Sequence, residues 1–327
     1  MLYLLEWMIS LVIQGVRRID AAVDIEVETA GMLRYQRTLR SEVFLEGIGL
    51  HTGYSVRLRL VPAPPDTGIL FRRTDLKNFE IEAIRAHVAR VSYATTLMKK
   101  GVMISTVEHL LSTLYGLAID NLYIDLDSME VPIMDGSGKC FMEEIEKAGI
   151  LEQDRLREYV VIQEAIEVRY GDKFAGVYPN AVPKATYTID FEHKAIGRQE
   201  IHLDLNPESY RKEIATARTF GFIADVEYLK RCGLIRGGSL ENAVVLDHSG
   251  IVNNHLRYPD EFVRHKLLDL LGDISLAGHP IIGHLCAEKA GHAMHTALAD
   301  KIARLKNRHR ICTLDELEPE VAARNAS

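Results

Sequence analysis

The sequence predicts an α+β protein built by duplication, and three patterns predict it. From about residue 34 the chain turns β-rich: Val56, Leu58 and Leu60 alternate with Arg57 and Arg59, as in a half-buried strand. Residues 260–276 instead repeat at helical spacing, with Val263, Leu267, Leu270 and Ile274 on one face. The order helix, strand, helix over residues 105–148 then recurs over residues 260–305. Two halves of like order, each with a histidine-bearing helix, read as a duplication whose ligand site lies where the halves meet.

The elements follow in chain order. Residues 1–13 are mostly apolar but carry Glu6 and are too short to span a bilayer. Arg17 and Arg18 follow that run, whereas a signal peptide has its basic residues in front. Met32 stands just before the first strand pattern, so residues 1–31 read as an N-terminal extension outside the fold. Pro62-Ala-Pro-Pro65 ends the first clear strand, and residues 68–73 form the next. A helix runs from Ser105 to about Tyr115 and stops at Gly116. Leu122, Ile124 and Leu126 then alternate with polar residues as a strand, and the turn at residues 134–138 leads to a helix over 141–148. Residues 150–158 are dense in charge and read as a linker or frayed helix end. Strands resume over 159–168, turn at 170–172 and continue through Tyr187, Ile189 and Phe191. A helix over 260–276, a strand over 281–287 and a helix over 292–305 complete the pattern. The organisation expected is an extension (1–31), a first domain (32–150), a second domain (151–310) and a tail (311–327).

A length of 327 residues exceeds one ordinary core and suits two. The net charge of −7 offers no basic field for nucleic acid, so an anionic substrate must be met by local lysines and arginines. Cys140, Cys232, Cys286 and Cys312 show no CxxC spacing, which argues against a disulfide framework or thiolate zinc site and suits a reducing cytosol. No stable membrane insertion is expected, and peripheral contact is the most the pattern allows.

The chemistry concentrates in two helices. On the second, His265, Asp269 and Asp273 form a stripe apart from the apolar face, drifting about 40° per step. An i,i+4 His/Asp pair brings both side chains within reach of one ion, with Asp273 a turn further on. The bland alternative is a solvated face; Gly272 on the same side tips the reading, because a bare backbone permits close approach. On the first, Ser105-Thr-Val-Glu-His109 is also a capping box, with Ser105 capping and Glu108 reaching back. Adjacent helical residues point about 100° apart, so His109 can ligate an ion while Glu108 addresses water. The sum is a His/His/Asp zinc set with an open position and a base, as hydrolytic zinc chemistry needs. The run Gly47-Ile-Gly-Leu-His-Thr-Gly53 is not a dinucleotide site, since its spacing is GxGxxxG and it precedes a strand. His51 reads as a turn or pocket-wall residue, residues 217–222 as a loop with aromatic anchors, and His292 as a capped structural histidine. Lys289 is either solvated or facing an anion.

Five motifs in one order carry a resemblance: Ser-Thr-Val-Glu-His-Leu (105–110), Val-Pro-Ile-Met-Asp-Gly-Ser (131–137), Ala-Arg-Thr-Phe-Gly-Phe (217–222), Phe-Val-Arg-His-Lys-Leu-Leu-Asp (262–269) and Gly-His-Ala (291–293). The glycine run (47–53) and Arg-Arg-Thr-Asp-Leu (72–76) add to them. From about Gln36 to Arg310 the chain closely resembles the UDP-3-O-acyl-N-acetylglucosamine deacetylases, zinc amidases of lipid A synthesis. The resemblance implies His109, His265 and Asp269 as ligands of one catalytic Zn2+, Glu108 as general base and His292 as general acid. It implies Asp273 as the partner of His292, Lys266 and the Thr219 hydroxyl at the oxyanion, Phe191 against uracil, and Lys173 and Lys289 toward the diphosphate. Residues 219–245 resemble the segment that forms the acyl passage, with Phe220, Phe222, Ile223, Val226, Ile235, Gly238, Leu240 and Val245 as candidate lining. Read from composition alone, the same segment could be ordinary core. The implied fold is two similar α+β domains, each layering helices on small, mostly antiparallel sheets, with zinc between them. The implied partner is a small acylated UDP-amino-sugar in the cytoplasm. A zinc peptidase would need HExxH, which the chain lacks. A non-catalytic sugar-nucleotide or lipid binder would need neither base nor acid.

Overall fold

The structure is a computed structural model that describes Thr29 and residues 31–253 and 255–317. The expected extension therefore lies almost wholly outside the described residues, as does the tail beyond residue 317. Five helices carry the argument: α1 (Glu108–Gly116), α2 (Lys139–Ala148), α3 (Ile223–Arg231), α4 (Glu261–Ile274) and α5 (His292–Arg304).

The duplication is written in two five-stranded sheets with the same topology. The first orders Val43–Ile48, Ser55–Pro62, Leu122–Leu126, Ile69–Arg73 and Phe79–Glu82 side by side. The second orders Ile166–Tyr170, Lys173–Tyr178, His284–Glu288, Lys184–Asp190 and Arg198–Asp204 in the same way. Each sheet consists of two hairpins with the last strand in sequence inserted between them. That strand is antiparallel to one neighbour and parallel to the other. A parallel neighbour demands a crossover connection. The crossover contains α1 in the first half and α4 in the second, and α2 and α5 follow the inserted strands.

α1 and α4 pack on one another. Gly272 of α4 makes this possible, because a Cβ there would overlap the carbonyl oxygen of Glu108. The close approach expected at Gly272 is thus the approach of the other half's helix. A single apolar cluster joins Leu58, Phe71, Leu110 and Ile124 of the first half to Phe262, Leu267, Leu285 and Leu298 of the second.

Three local expectations need correction. Residues 150–158 are no linker: Ile150–Leu156 is a strand that pairs antiparallel with Tyr35–Leu39. Its charges mask it because most of its side chains are exposed. The strand expected over 281–287 splits at Gly283, Ile281–Ile282 pairing with Glu158–Ile162 while His284–Glu288 enters the second sheet. The first histidine-bearing helix begins at Glu108, since the backbone of Ser105 is already spent on Met129 and Val131. Among the described residues no helix is long and apolar enough to cross a membrane.

Candidate active site

The capping box does not form. α1 starts after Val107 with no side-chain cap, and Thr106 takes a left-handed φ of 58° that a β-branched residue rarely adopts. The Thr106 hydroxyl donates to Glu130 Oε1 at 2.9 Å, and the fully buried Glu130 carboxylate also accepts from the amides of His51 and Thr52 and the Thr52 hydroxyl. One carboxylate therefore ties the strained turn before α1 to the glycine-rich loop. Glu108 is left free of capping duty, and its Oε2 accepts from the Thr95 amide at 3.0 Å. Burial pushes the Glu108 carboxyl above its usual range, against the attraction of His292 and His109.

Beside it, three donors converge. Asp269 Oδ1 lies 3.7 Å from His109 Nε2 and 3.3 Å from His265 Nε2, and the two rings meet edge to face at 4.9 Å. The three side chains are buried and offer ligand atoms within 4.8 Å of one another. His265 Nδ1 bonds the carbonyl of Ala217 at 3.0 Å, which orients the ring and leaves Nε2 for the cluster. Burial holds His265 down to about 3, so the imidazole is neutral, as ligation requires. Despite burial, Asp269 is held well below the usual carboxylate range by Lys266, whose Nζ donates to Oδ2 at 2.6 Å, and by the histidines. Asp269 Oδ1 and His109 Nδ1 are buried without a hydrogen-bond partner among the described residues, a costly arrangement unless an ion satisfies it. Two imidazoles and a carboxylate with orphaned atoms fit a divalent metal, and zinc among those that favour such donors.

A second cluster lies one turn along α4. Asp273 Oδ2 meets His292 Nδ1 at 2.8 Å and His295 Nδ1 at 3.0 Å, while Oδ1 accepts from the Thr95 hydroxyl at 2.5 Å. Burial alone would lower the pKa of His292; the charges of Asp273 and Asp269 outweigh it and raise it to about 9. His295 is fully buried, pushed down by that burial, and its Nε2 lies 2.9 Å from the Tyr187 hydroxyl. The two clusters together offer an ion site, a carboxylate beside it and a protonated imidazole.

Comparison with known proteins gives the family. The family model described as UDP-3-O-acyl N-acetylglycosamine deacetylase matches residues 36–304. The chain belongs to this family. A UDP-3-O-acyl-N-acetylglucosamine deacetylase of Solibacter usitatus (strain Ellin6076) is 46% identical over 291 residues, covering 88% of this chain and 98% of that protein. One of Myxococcus xanthus (strain DK1622) is 51% identical over 269 residues, covering 82% of this chain and 86% of that protein. Deacetylases of this family are metalloenzymes, in keeping with the donor set.

The structure brings most of the remaining candidates to the same region. Thr219 lies two residues past Ala217, which orients His265, and its own amide bonds Gly136. Phe220 stands edge-on to His265 with centroids 6.4 Å apart, and Lys266 Nζ lies 5.7 Å above its ring. Phe191 packs edge to face on Phe220 at 5.8 Å and lies 6.2 Å from Phe222, so the loop with aromatic anchors joins the second sheet to the site. Residues 220–222 are more than loop, pairing in parallel with Val244–Leu246. Lys289 Nζ sits 3.2 Å from both Asp172 and Asp190, and Lys173 opens the strand beside it. In the insert, α3 buries none of its residues. Ile223 and Leu240 are exposed, and Val226, Ile235 and Val245 half-buried, so the segment is not ordinary core.

Three residues here escaped the sequence reading. His295 carried a signal, since His292-x-x-His295 places both rings on one face of α5. Thr95 and Glu130 carried none, being recruited by contacts distant in sequence.

Proposed function

We propose that this chain hydrolyses the acetamide of UDP-3-O-acyl-N-acetylglucosamine, giving UDP-3-O-acyl-glucosamine and acetate at the committed step of lipid A biosynthesis. The observation that carries the proposal is the convergence, where α1 meets α4, of a three-donor set, a buried carboxylate and a protonated imidazole in a chain of this family.

His109, His265 and Asp269 would hold one zinc ion. When bound, the ion supplies Lewis acidity at the amide carbonyl and makes a water easier to deprotonate. Glu108, beside the donors but not among them, takes the proton of the attacking water. Lys266 and the Thr219 hydroxyl meet the negative charge that develops on the carbonyl oxygen. His292 gives its proton to the leaving glucosamine nitrogen. Because Nδ1 is engaged by Asp273, Nε2 is the nitrogen that donates. Asp273 stabilises the imidazolium that this step consumes. Phe191 takes the uracil, and Lys173 and Lys289 take the diphosphate, Lys289 exchanging its contacts with Asp172 and Asp190 for it. The open insert over residues 219–245 receives the 3-O-acyl chain. Residues 32–150 and 151–310 act as the two domains that enclose the site. The partner is this small molecule rather than a nucleic acid. A cytoplasmic setting is supported by the absence of any disulfide among the described cysteines.

The test is incubation of the full chain with acylated UDP-N-acetylglucosamine, with and without a chelator. Acetate release that the chelator abolishes and zinc restores is the expected result. No release by metal-loaded protein would overturn the proposal.

A further inference from the structure

Thr95 makes three contacts that converge on the proposed machinery. Its amide donates to Glu108 Oε2 at 3.0 Å, its hydroxyl donates to Asp273 Oδ1 at 2.5 Å, and its carbonyl accepts from Val107, the residue before α1, at 3.4 Å. Thr95 and Asp273 are wholly buried and Glu108 nearly so. Two carboxylates in one dry site repel each other, and each needs donors aimed at it to stay charged. Asp273 Oδ2 is filled by His292 and His295, so the Thr95 hydroxyl is the donor left for Oδ1 among the described residues.

We propose that Thr95 is a positioning residue: it holds the base Glu108 on α1 and the acid's partner Asp273 on α4 in one frame, thereby fixing where His292 points. Resting on the function proposed above, the idea adds a residue that touches neither substrate nor metal donors. Threonine suits the task because its branched Cβ restricts χ1 and so fixes the hydroxyl direction. Asp273 is held on both sides, by a hydroxyl from the first half and two imidazoles from α5. A pivot about its χ2 would turn the His292 ring away from the leaving nitrogen. Small misplacements of an acid cost rate steeply while leaving substrate binding intact.

The experiment compares Thr95→Val and Thr95→Ala, which remove the hydroxyl, with Thr95→Ser, which keeps it. All are made in the full zinc-loaded chain, with kcat and KM measured separately for acetate release from acylated UDP-N-acetylglucosamine. The downfield NMR resonance of the proton between His292 and Asp273 is followed in parallel without substrate. The removing variants are expected to lose about tenfold or more in kcat, with KM within about twofold, and to shift that resonance. Serine is expected to restore both, and zinc content is expected to stay full throughout. A removing variant with unchanged kcat and an unmoved resonance overturns the proposal, and so does a serine variant as impaired as valine. If the wild-type chain released no acetate, the functional reading would fall, while the resonance would still decide the role of Thr95.

Discussion

Replacing Asp273 by asparagine tests the acid most directly, because it removes a charge and keeps the shape. His292 is raised from an ordinary 6.5 to about 9 although burial works against it, the charges of Asp273 and Asp269 and the bond to Nδ1 doing the lifting. A lift of that size corresponds to roughly 3 kcal/mol of preference for the imidazolium. In Asp273→Asn the amide oxygen can still accept from Nδ1, but the largest favourable charge is gone and burial remains. Glu108 stays near enough to keep part of the lift. The sign follows from the role: His292 must hold its proton, so activity is present below its pKa and lost as pH rises through it. The basic limb of the kcat profile is therefore expected to move to lower pH in the variant than in the wild type. At pH 8 the variant stands on the wrong side of that limb and should lose about tenfold or more, with part of the loss recovered at pH 6. The assay is acetate release across pH, with zinc measured on the same samples. An unmoved basic limb with full zinc would refute the assignment of His292 as the titrating acid.

Other perturbations separate the remaining roles. His265→Ala should lose bound zinc and activity together, whereas Glu108→Ala should retain zinc and lose most activity; elemental analysis beside the rate decides, and zinc loss in Glu108→Ala would make Glu108 a ligand. Gly238→Leu places a side chain toward Leu50, whose Cδ1 lies 3.6 Å from where a Cβ would stand. It should penalise long acyl chains by about 0.8 kcal/mol for each CH2 displaced and leave short ones alone, and equal losses would put the acyl chain elsewhere. Gly272→Ala should destabilise the fold by about 1–3 kcal/mol in denaturant titration and weaken zinc binding; an unchanged midpoint would show that α1 and α4 can part at no cost.

The cluster of His265 with Asp269 was legible because helical spacing alone brings the two together, and the 100° between neighbours already separated Glu108 from His109. The aromatic anchors were legible as composition, but the exposure of the insert was not, since its apolar residues read equally well as ordinary core. The capping box misled because it is a local rule, and here Ser105 is taken by Met129 and Val131 before it can cap. Ile150–Leu156 was lost because none of its side chains is buried, so no alternation of apolar and polar residues marks the strand. Thr95 and Asp273 are 178 residues apart in sequence, and no pattern within either segment announces that they meet. Local periodicity can gather side chains on one helical face, but not the distant residues that they meet there.

The duplication explains why the site has the form it has. α1 and α4 are equivalent elements, each the crossover that precedes the central strand of its sheet. Equivalent helices from paired halves meet at one line of contact, and Gly272 lets that line close until backbone touches backbone. The first turn of α1 then lies against the middle of α4. That places His109 beside Asp269, three residues before the glycine, and brings Glu108 close to Asp273, one residue after it. A larger residue at 272 would hold the helices apart and lengthen the 3.7 Å between His109 and Asp269, so the donor set depends on a side chain that is absent. The two halves have also specialised. α1 brings Glu108 and His109 from its first turn, while α4 brings His265, Asp269 and Asp273 from along its length.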